Sequence, residues 1–267
     1  MLEGRNITVR YGSKVALEAV SCVAAPGEVV AVIGPNGAGK STLLSALSGI
    51  SQPASGTVTI DATCLTDLNP QELALRRAVL EQTPVKDLPY TAEMLVGLTI
   101  PTAVPPKETS EIVARALHSV DLVDARDVAV HQLSGGQAHR AHLARALAQL
   151  WAGRYLGYGR YLLIDEPTAS LDLQHQRSVL EVTRQVRSDG AGVLIVLHDL
   201  TLAAAIADRV IIIASGRLAA DGPPRDVLRA EVIGPIYQTP ILVIEQGSQH
   251  IVAPDYRPGS QTLPSQI

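Results

Sequence analysis

The sequence has no phenylalanine, one tryptophan and two cysteines, and aromatic residues make up only 3% of it. Cys22 and Cys64 lack the close spacing of a zinc site or a redox pair, and two cysteines build no disulfide framework, so a reducing compartment is expected. A basic run is also missing. With 22 basic against 26 acidic residues and a net charge of -4, there is no patch of Lys and Arg to neutralise a phosphate backbone, and no nucleic-acid partner is expected. Long apolar runs are absent too. Val29 to Ile33 and Val193 to Leu197 fall far short of the ~20 residues that cross a bilayer, so any membrane association is expected to come through a partner. The stretch from Met1 to Arg10 has no basic start followed by apolar residues, and the expectation is a chain that carries no secretory leader and stays inside the cell.

What is present is the composition of a globular protein: 267 residues, 46% hydrophobic and 18% charged, enough for one substantial core. Ile7 to Val9 and Thr57 to Ile60 alternate apolar with polar residues, which predicts half-buried antiparallel strands. Val29 to Ile33, Tyr161 to Ile164, Val193 to Leu197 and Val210 to Ile213 are short, continuous and β-rich, as parallel strands covered on both faces must be. Helical stretches are predicted around Glu111 to Val120 and Gly136 to Trp151, with prolines interrupting the chain from Pro101 to Pro106. The reading is a single α/β domain over residues 1–257. Its core comprises 1–82 and 156–257, a helical subdomain is inserted at 83–155, and a loose polar tail follows at 258–267.

Gly34 to Thr42 reads G-P-N-G-A-G-K-S-T between an apolar strand and a helical stretch, the context of a phosphate-binding P-loop. Gly34, Pro35, Asn36, Gly37, Ala38 and Gly39 form a loop whose glycines let backbone amides turn inward around a β-phosphate. Lys40 reaches the β- and γ-phosphates, and Ser41, followed by Thr42, supplies a hydroxyl to Mg²⁺. Tyr161 to Pro167 is an apolar strand ending in two acids, with Asp165 placed to hold Mg²⁺ and Glu166 to polarise an attacking water. Read alone, such a pair is a solvated strand end; beside a P-loop it is chemistry. L-S-G-G-Q, Leu133 to Gln137, opens a helix on which Leu143, Leu147 and Leu150 share a face. Ser134 sits where an N-cap belongs, and the amides of Gly135 and Gly136 together with the helix dipole form an anion site, although in isolation this is ordinary capping.

In this order, P-loop, L-S-G-G-Q and L-L-I-D-E resemble the ATP-binding cassette (ABC) family, over about Leu2 to Pro254. The resemblance implies a P-loop NTPase core of the RecA-like kind with an N-terminal antiparallel β-subdomain and an inserted α-helical subdomain. It implies ATP and Mg²⁺ as ligands. It also implies that Ser134, Gly135, Gly136 and Gln137 of one copy meet the γ-phosphate held by the P-loop of another, so that two sites form only in a head-to-tail homodimer. By the same resemblance His198 is the switch histidine that positions Glu166 and water, and Gln82 joins Ser41 and Asp165 around Mg²⁺ and touches the water. Asp172 lines the dimer interface and Tyr11 stacks on adenine, a contact for which an aromatic face is suited.

A stand-alone cassette resembles an importer subunit. Exporters usually fuse the cassette to membrane helices, translation-factor relatives carry two cassettes, and chromosome-maintenance relatives split theirs with a coiled coil. D-L-Q-H-Q from Asp172, the stretch from Leu197 to Ile213, and a short tail through Val227 to Tyr237 resemble the iron-chelate, hemin and cobalamin branch. The extension Trp151 to Arg160 resembles that of hemin importers. Two features depart from the branch: Val96 to Thr102 lacks an expected arginine, and Ala138 and His139 replace a polar pair. The expected function is ATP-driven import of hemin, with ferric siderophore or cobalamin as alternative cargo. The expected setting is the cytoplasmic face of a bacterial inner membrane, where the cassette homodimer sits on a permease dimer fed by a periplasmic substrate-binding protein. The competing classes are a soluble ATP-switched interaction module and a P-loop small-molecule kinase, and the kinase has no use for L-S-G-G-Q or a switch histidine.

Overall fold

The computed structural model describes residues 1–82, 88–168, 171–247 and 249–257; the expected loose tail at 258–267 lies outside them. The elements begin with strands β1 (Leu2–Tyr11), β2 (Lys14–Ala24) and β3 (Val29–Ile33), helix α1 (Lys40–Ser48), and strands β4 (Ser55–Ile60) and β5 (Thr63–Cys64). Next come α2 (Pro70–Arg76), β6 (Arg77–Leu80), α3 (Ala92–Gly97), α4 (Pro106–Ser119), α5 (Gly135–Tyr155) and β7 (Tyr161–Asp165). They end with α6 (Leu173–Ser188), β8 (Gly192–Val196), α7 (Leu200–Ile206), β9 (Arg209–Ala214), β10 (Arg217–Gly222), α8 (Pro224–Val227), α9 (Ala230–Tyr237), β11 (Ile241–Gln246) and β12 (Gln249–Pro254). The chain divides into two compact units. One holds Met1, Ala25–Gly27 and Ile60–Val193, and the other Leu2–Ala24, Glu28–Thr59 and the residues from Leu194 onward.

In the second unit β1 pairs antiparallel with β2, from Leu2 opposite Ala24 to Tyr11 opposite Lys14. Ile7 and Val9 of β1 and Val20, Cys22 and Ala24 of β2 are buried while the residues between them are more exposed, the period-2 pattern of a sheet covered on one side. The antiparallel sheet places β1 between β2 and β4. A second sheet runs β10-β9-β3-β8. Every residue of β3 is buried, as are Val210 to Ile213 of β9 and all of β8, because inner strands of a sheet covered on both faces have no solvent face. β3 and β9 are parallel with Ile33 beside Ile212, and β10 closes that edge antiparallel to β9. The alternating and continuous apolar runs of the sequence therefore fold as the two kinds of strand they predict.

In the first unit β6 and β7 run parallel, Arg77 beside Tyr161 and Leu80 beside Ile164. Helix α5 is 21 residues long and buries residues around most of its circumference, from Ala138 to Gly153. It packs against α2, α3 and α4, and its alanines let the neighbouring backbones approach closely. The helix runs one turn beyond Trp151, so the first half of the Trp151 to Arg160 extension is helical. The interrupting prolines end by starting a helix: Pro106 is the first residue of α4, where a missing N–H costs no hydrogen bond and a fixed φ favours the turn.

Candidate active site

Gly34 leaves β3 with φ 148, and a side chain there would bring its Cβ within 2.0 Å of the Ile213 carbonyl oxygen, so only glycine lets the loop depart between β3 and β9. Gly39 ends the loop at φ 108, and its Cβ would stand 2.7 Å from the Ala16 carbonyl of β2. Lys40 turns back over the loop, its Nζ donating to the Gly34 carbonyl at 2.9 Å and the Pro35 carbonyl at 3.0 Å. Helices α2, α3, α5, α6 and α7 each open with a side-chain cap. By contrast, α1 opens on Gly39 with no side-chain cap and no acidic residue in its first turn. Its first amides and the positive end of its dipole are left to an anion. Ser41 and Thr42 stand half-buried in that same turn. The Leu197 amide bonds to the Val32 carbonyl at 3.1 Å, so exposed His198 leaves β8 at the end where β3 enters the loop. Tyr11 lies at the β1–β2 turn with its ring 57% exposed, open to a stacking partner.

The first unit carries the acids. Asp165 ends β7 buried, and Glu166 follows in the left-handed region at φ 50, a strained backbone for a non-glycine residue. Gln82 donates from Nε2 to Glu166 Oε2 at 2.7 Å. The cause is register: Leu80 lies beside Ile164 in the parallel pair, so two residues further on each chain Gln82 meets Glu166. Ser134 caps α5 with Gln137, the Ser134 Oγ accepting from the Gln137 amide at 3.2 Å and Gln137 Oε1 from the Ser134 amide at 3.0 Å. Ser134 and Gly135 are exposed, and a Cβ added at Gly136 would stand 3.5 Å from the Leu171 side chain. Asp172 caps α6 by accepting from the His175 amide at 2.9 Å and meets the His175 ring at 2.6 Å, and these hydrogen bonds hold its carboxyl below the usual range. Burial holds the Arg140 guanidinium of α5 below its usual pKa, against the opposing charges of Asp121 and Asp172. Through Leu171 and Arg140, the L-S-G-G-Q segment and Asp172 thus share one neighbourhood.

Within each unit the predicted residues gather: Gly34 to Thr42 with His198 in one, Gln82 with Asp165 and Glu166, and Ser134 to Gln137 with Asp172, in the other. Arg145, which sequence reasoning missed, is a half-buried arginine whose pKa desolvation lowers and Glu81, next to Gln82, raises. The tie from Thr201 to β12, in which its Oγ1 bonds both backbone groups of Val252, was missed as well. A turn-forming Gly247 between two apolar runs was the available signal for the hairpin that Thr201 holds.

The family model described as "ABC transporter" matches residues 17–169. The chain belongs to the ATP-binding cassette family. It is 43% identical over 230 residues to the hemin import ATP-binding protein HmuV of Rhodopseudomonas palustris, covering 86% of this chain and 85% of that one. It is 45% identical over 252 residues to the protein of the same name from Nocardia farcinica, covering 91% and 85%. Among solved structures, a dimeric ATP-binding cassette bound to ADP and phosphate matches with TM-score 0.72 and 28% identity, over 84% of this chain and 99% of that chain. The cassette is thus an ABC transporter ATPase that binds adenine nucleotide, of a family whose cassettes dimerise. Among the described residues no helix is long and apolar enough to cross a membrane.

Proposed function

We propose that this cassette hydrolyses ATP as a homodimer on the cytoplasmic face of a bacterial inner membrane and drives hemin through a permease dimer supplied by a periplasmic substrate-binding protein. The observation that carries the cargo is 43–45% identity, along most of the chain, to two proteins named for hemin import. The core at 1–82 and 156–257 binds and hydrolyses ATP, and the helical subdomain at 83–155 transmits closure to the permease. Tyr11 stacks on adenine. The amides of Gly34 to Thr42 enclose the phosphates, and Lys40 exchanges its bonds to the Gly34 and Pro35 carbonyls for the β- and γ-phosphates.

Glu166, held by Gln82, takes the proton of the attacking water, and His198 orients that water against the γ-phosphate. The oxygen donors of Ser41, Asp165 and Gln82 suit magnesium, a hard cation that, when bound, neutralises charge developing on the transferred phosphoryl group. Ser134, Gly135, Gly136 and Gln137 of one copy complete the γ-phosphate cage of the other, beside Asp172 at the interface. Closure of the dimer on ATP biases a two-state permease, which requires ATP to bind the closed form better than the open one.

The test is reconstitution of the cassette with its permease and binding protein in liposomes. Hemin should stimulate ATP hydrolysis and be taken up, whereas stimulation by a ferric siderophore or cobalamin with hemin inert overturns the cargo and leaves the ATPase standing. In the same system Glu166→Gln should bind ATP but slow turnover at least ~100-fold, the scale of losing a general base. Near-normal turnover in that variant removes Glu166 from the mechanism.

A further inference from the structure

Arginine and tyrosine side chains gather where α5 ends, in the stretch Trp151 to Arg160, to which ATP hydrolysis gives no role. The backbone there is locked by its own contacts. The Tyr158 amide donates to the Gly153 carbonyl at 2.8 Å, the Gly159 amide to the Leu75 carbonyl at 2.9 Å and the Arg160 amide to the Arg76 carbonyl at 2.9 Å. Gly153 and Gly159 permit this approach. A Cβ would stand 2.3 Å from the Leu75 carbonyl oxygen at the first and 2.2 Å from that of Leu150 at the second. The W-A-G-R-Y-L-G-Y-G-R run thus fixes its own loop and presents Arg154, Tyr158 and Arg160, all exposed.

Those three residues and Pro26 line an open cleft of about 260 Å³. Its charge is positive and only partly compensated. Arg154 donates from Nη2 to the main-chain carbonyl of Asp189, a neutral acceptor. The Asp189 carboxylate is already taken, Oδ2 by Arg115 at 3.1 Å and Oδ1 by the Gln185 side-chain amide at 2.7 Å. Arg160 has a carboxylate only at a distance: its Nε lies 3.7 Å from Asp61 Oδ2, beyond hydrogen-bond range, while Asp61 Oδ1 accepts from the Tyr161 hydroxyl at 2.9 Å. The Tyr158 ring is an aromatic wall held by Arg76, whose guanidinium carbon lies 5.5 Å from the ring centroid. The cleft opens at the amino end of β7, whereas Asp165 ends that strand and Glu166 follows it. The 5-residue strand, on the order of 16 Å long, separates the cleft from the two acids.

We propose that this cleft is an anion site separate from the nucleotide site, and that it takes inorganic phosphate or a small phosphate monoester. Guanidinium groups are planar forks that match pairs of phosphate oxygens. Two of them on one cleft, with a single distant carboxylate between them, suit a dianion better than one carboxylate group. Size narrows the choice further. Pockets for drug-sized ligands run from about 300 to 1,000 Å³, so a cleft of about 260 Å³ holds a phosphate with a few carbons and is too small to enclose a nucleotide or a tetrapyrrole. Because the loop is fixed before the ligand arrives, little binding energy is lost in ordering it.

The experiment saturates the full chain with a non-hydrolysable ATP analogue, so that phosphate cannot enter the P-loop. Inorganic phosphate, glycerol phosphate and acetate are then titrated by calorimetry at about 0.15 M salt, where diffuse surface attraction is screened. Both phosphates should bind at least about tenfold more tightly than acetate. Arg154→Gln and Arg160→Gln should each raise the phosphate Kd about tenfold or more, the scale of a hydrogen bond to a charged group. Arg177→Gln, at an exposed ion pair on α6, should leave it unchanged. Pro26→Glu keeps both arginines and their contacts and should abolish binding by adding a carboxylate to the cleft, which tests the site even if an arginine variant melts early. Absence of phosphate binding, acetate binding as tightly as phosphate, or binding that survives Arg154→Gln, Arg160→Gln and Pro26→Glu alike overturns the proposal.

Discussion

Two helix N-termini built from glycine-rich loops solve the same electrostatic problem in opposite ways. At α1 the loop ends in Gly39 with no capping side chain, and Lys40 lies folded over its own loop. At α5 the Ser134 and Gln137 side chains close a reciprocal capping box. The first terminus keeps its amides for an anion and cannot be completed by its own side chains, because any Cβ at Gly39 meets the Ala16 carbonyl. The second is already satisfied, so its exposed Ser134 and Gly135 form a finished surface to present to something else. On the proposed roles, the difference separates a site that binds nucleotide from one that recognises nucleotide already bound.

Lys40→Ala at the open terminus should cost the most. Removal of the cation proposed to meet the phosphates should lower hydrolysis at least ~100-fold, the scale of losing one preorganised electrostatic partner, and equilibrium binding of labelled ATP should fall with it. Activity within tenfold of the parent would erase the contrast between the two termini. Mixing tests whether the termini belong to one site. A Lys40→Ala cassette combined with a Ser134→Arg cassette leaves one composite site intact in each mixed dimer, so ATPase activity should recover several-fold above either variant alone, up to roughly half the parent's activity if intact sites act independently. No recovery of either activity or ATP-induced dimerisation would sink the shared-site arrangement.

A smaller effect is expected from the capping box itself. Ser134→Ala should destabilise the protein by about 1 kcal/mol, read as a fall of a few degrees in Tm without nucleotide, whereas Gly39 offers no cap to remove. The smallest effect concerns pH. Hydrogen bonds from His175 hold the Asp172 carboxyl below its unfolded value, so its contribution is fully present above that value, near 4, and is lost as pH falls through the folded pKa. Asp172→Asn should therefore flatten the drop in Tm between pH 5 and about pH 3 slightly. An unchanged acid limb would show that the exposed cap contributes nothing to it.

Much of the site was legible because phosphate binding is local. Gly34 to Thr42 must be contiguous for backbone amides to converge, and a strand before and a helix after are read from apolar runs on either side. Asp165 and Glu166 were legible as the acidic end of an apolar strand. That Gln82 would hold Glu166 was not derivable from spacing, since the 2.7 Å contact follows from the parallel register of β6 with β7.

By itself the sequence determined which backbones could wrap phosphate, which strands would be buried on one face or on both, and that Ser134 would cap its helix, because each depends on neighbours a few residues apart. Only the tertiary structure decided which carboxylate meets which amide and which distant strand residue Thr201 holds. Those pairings are set by strand register and helix packing between segments far apart in the chain, and local residue preferences do not encode them.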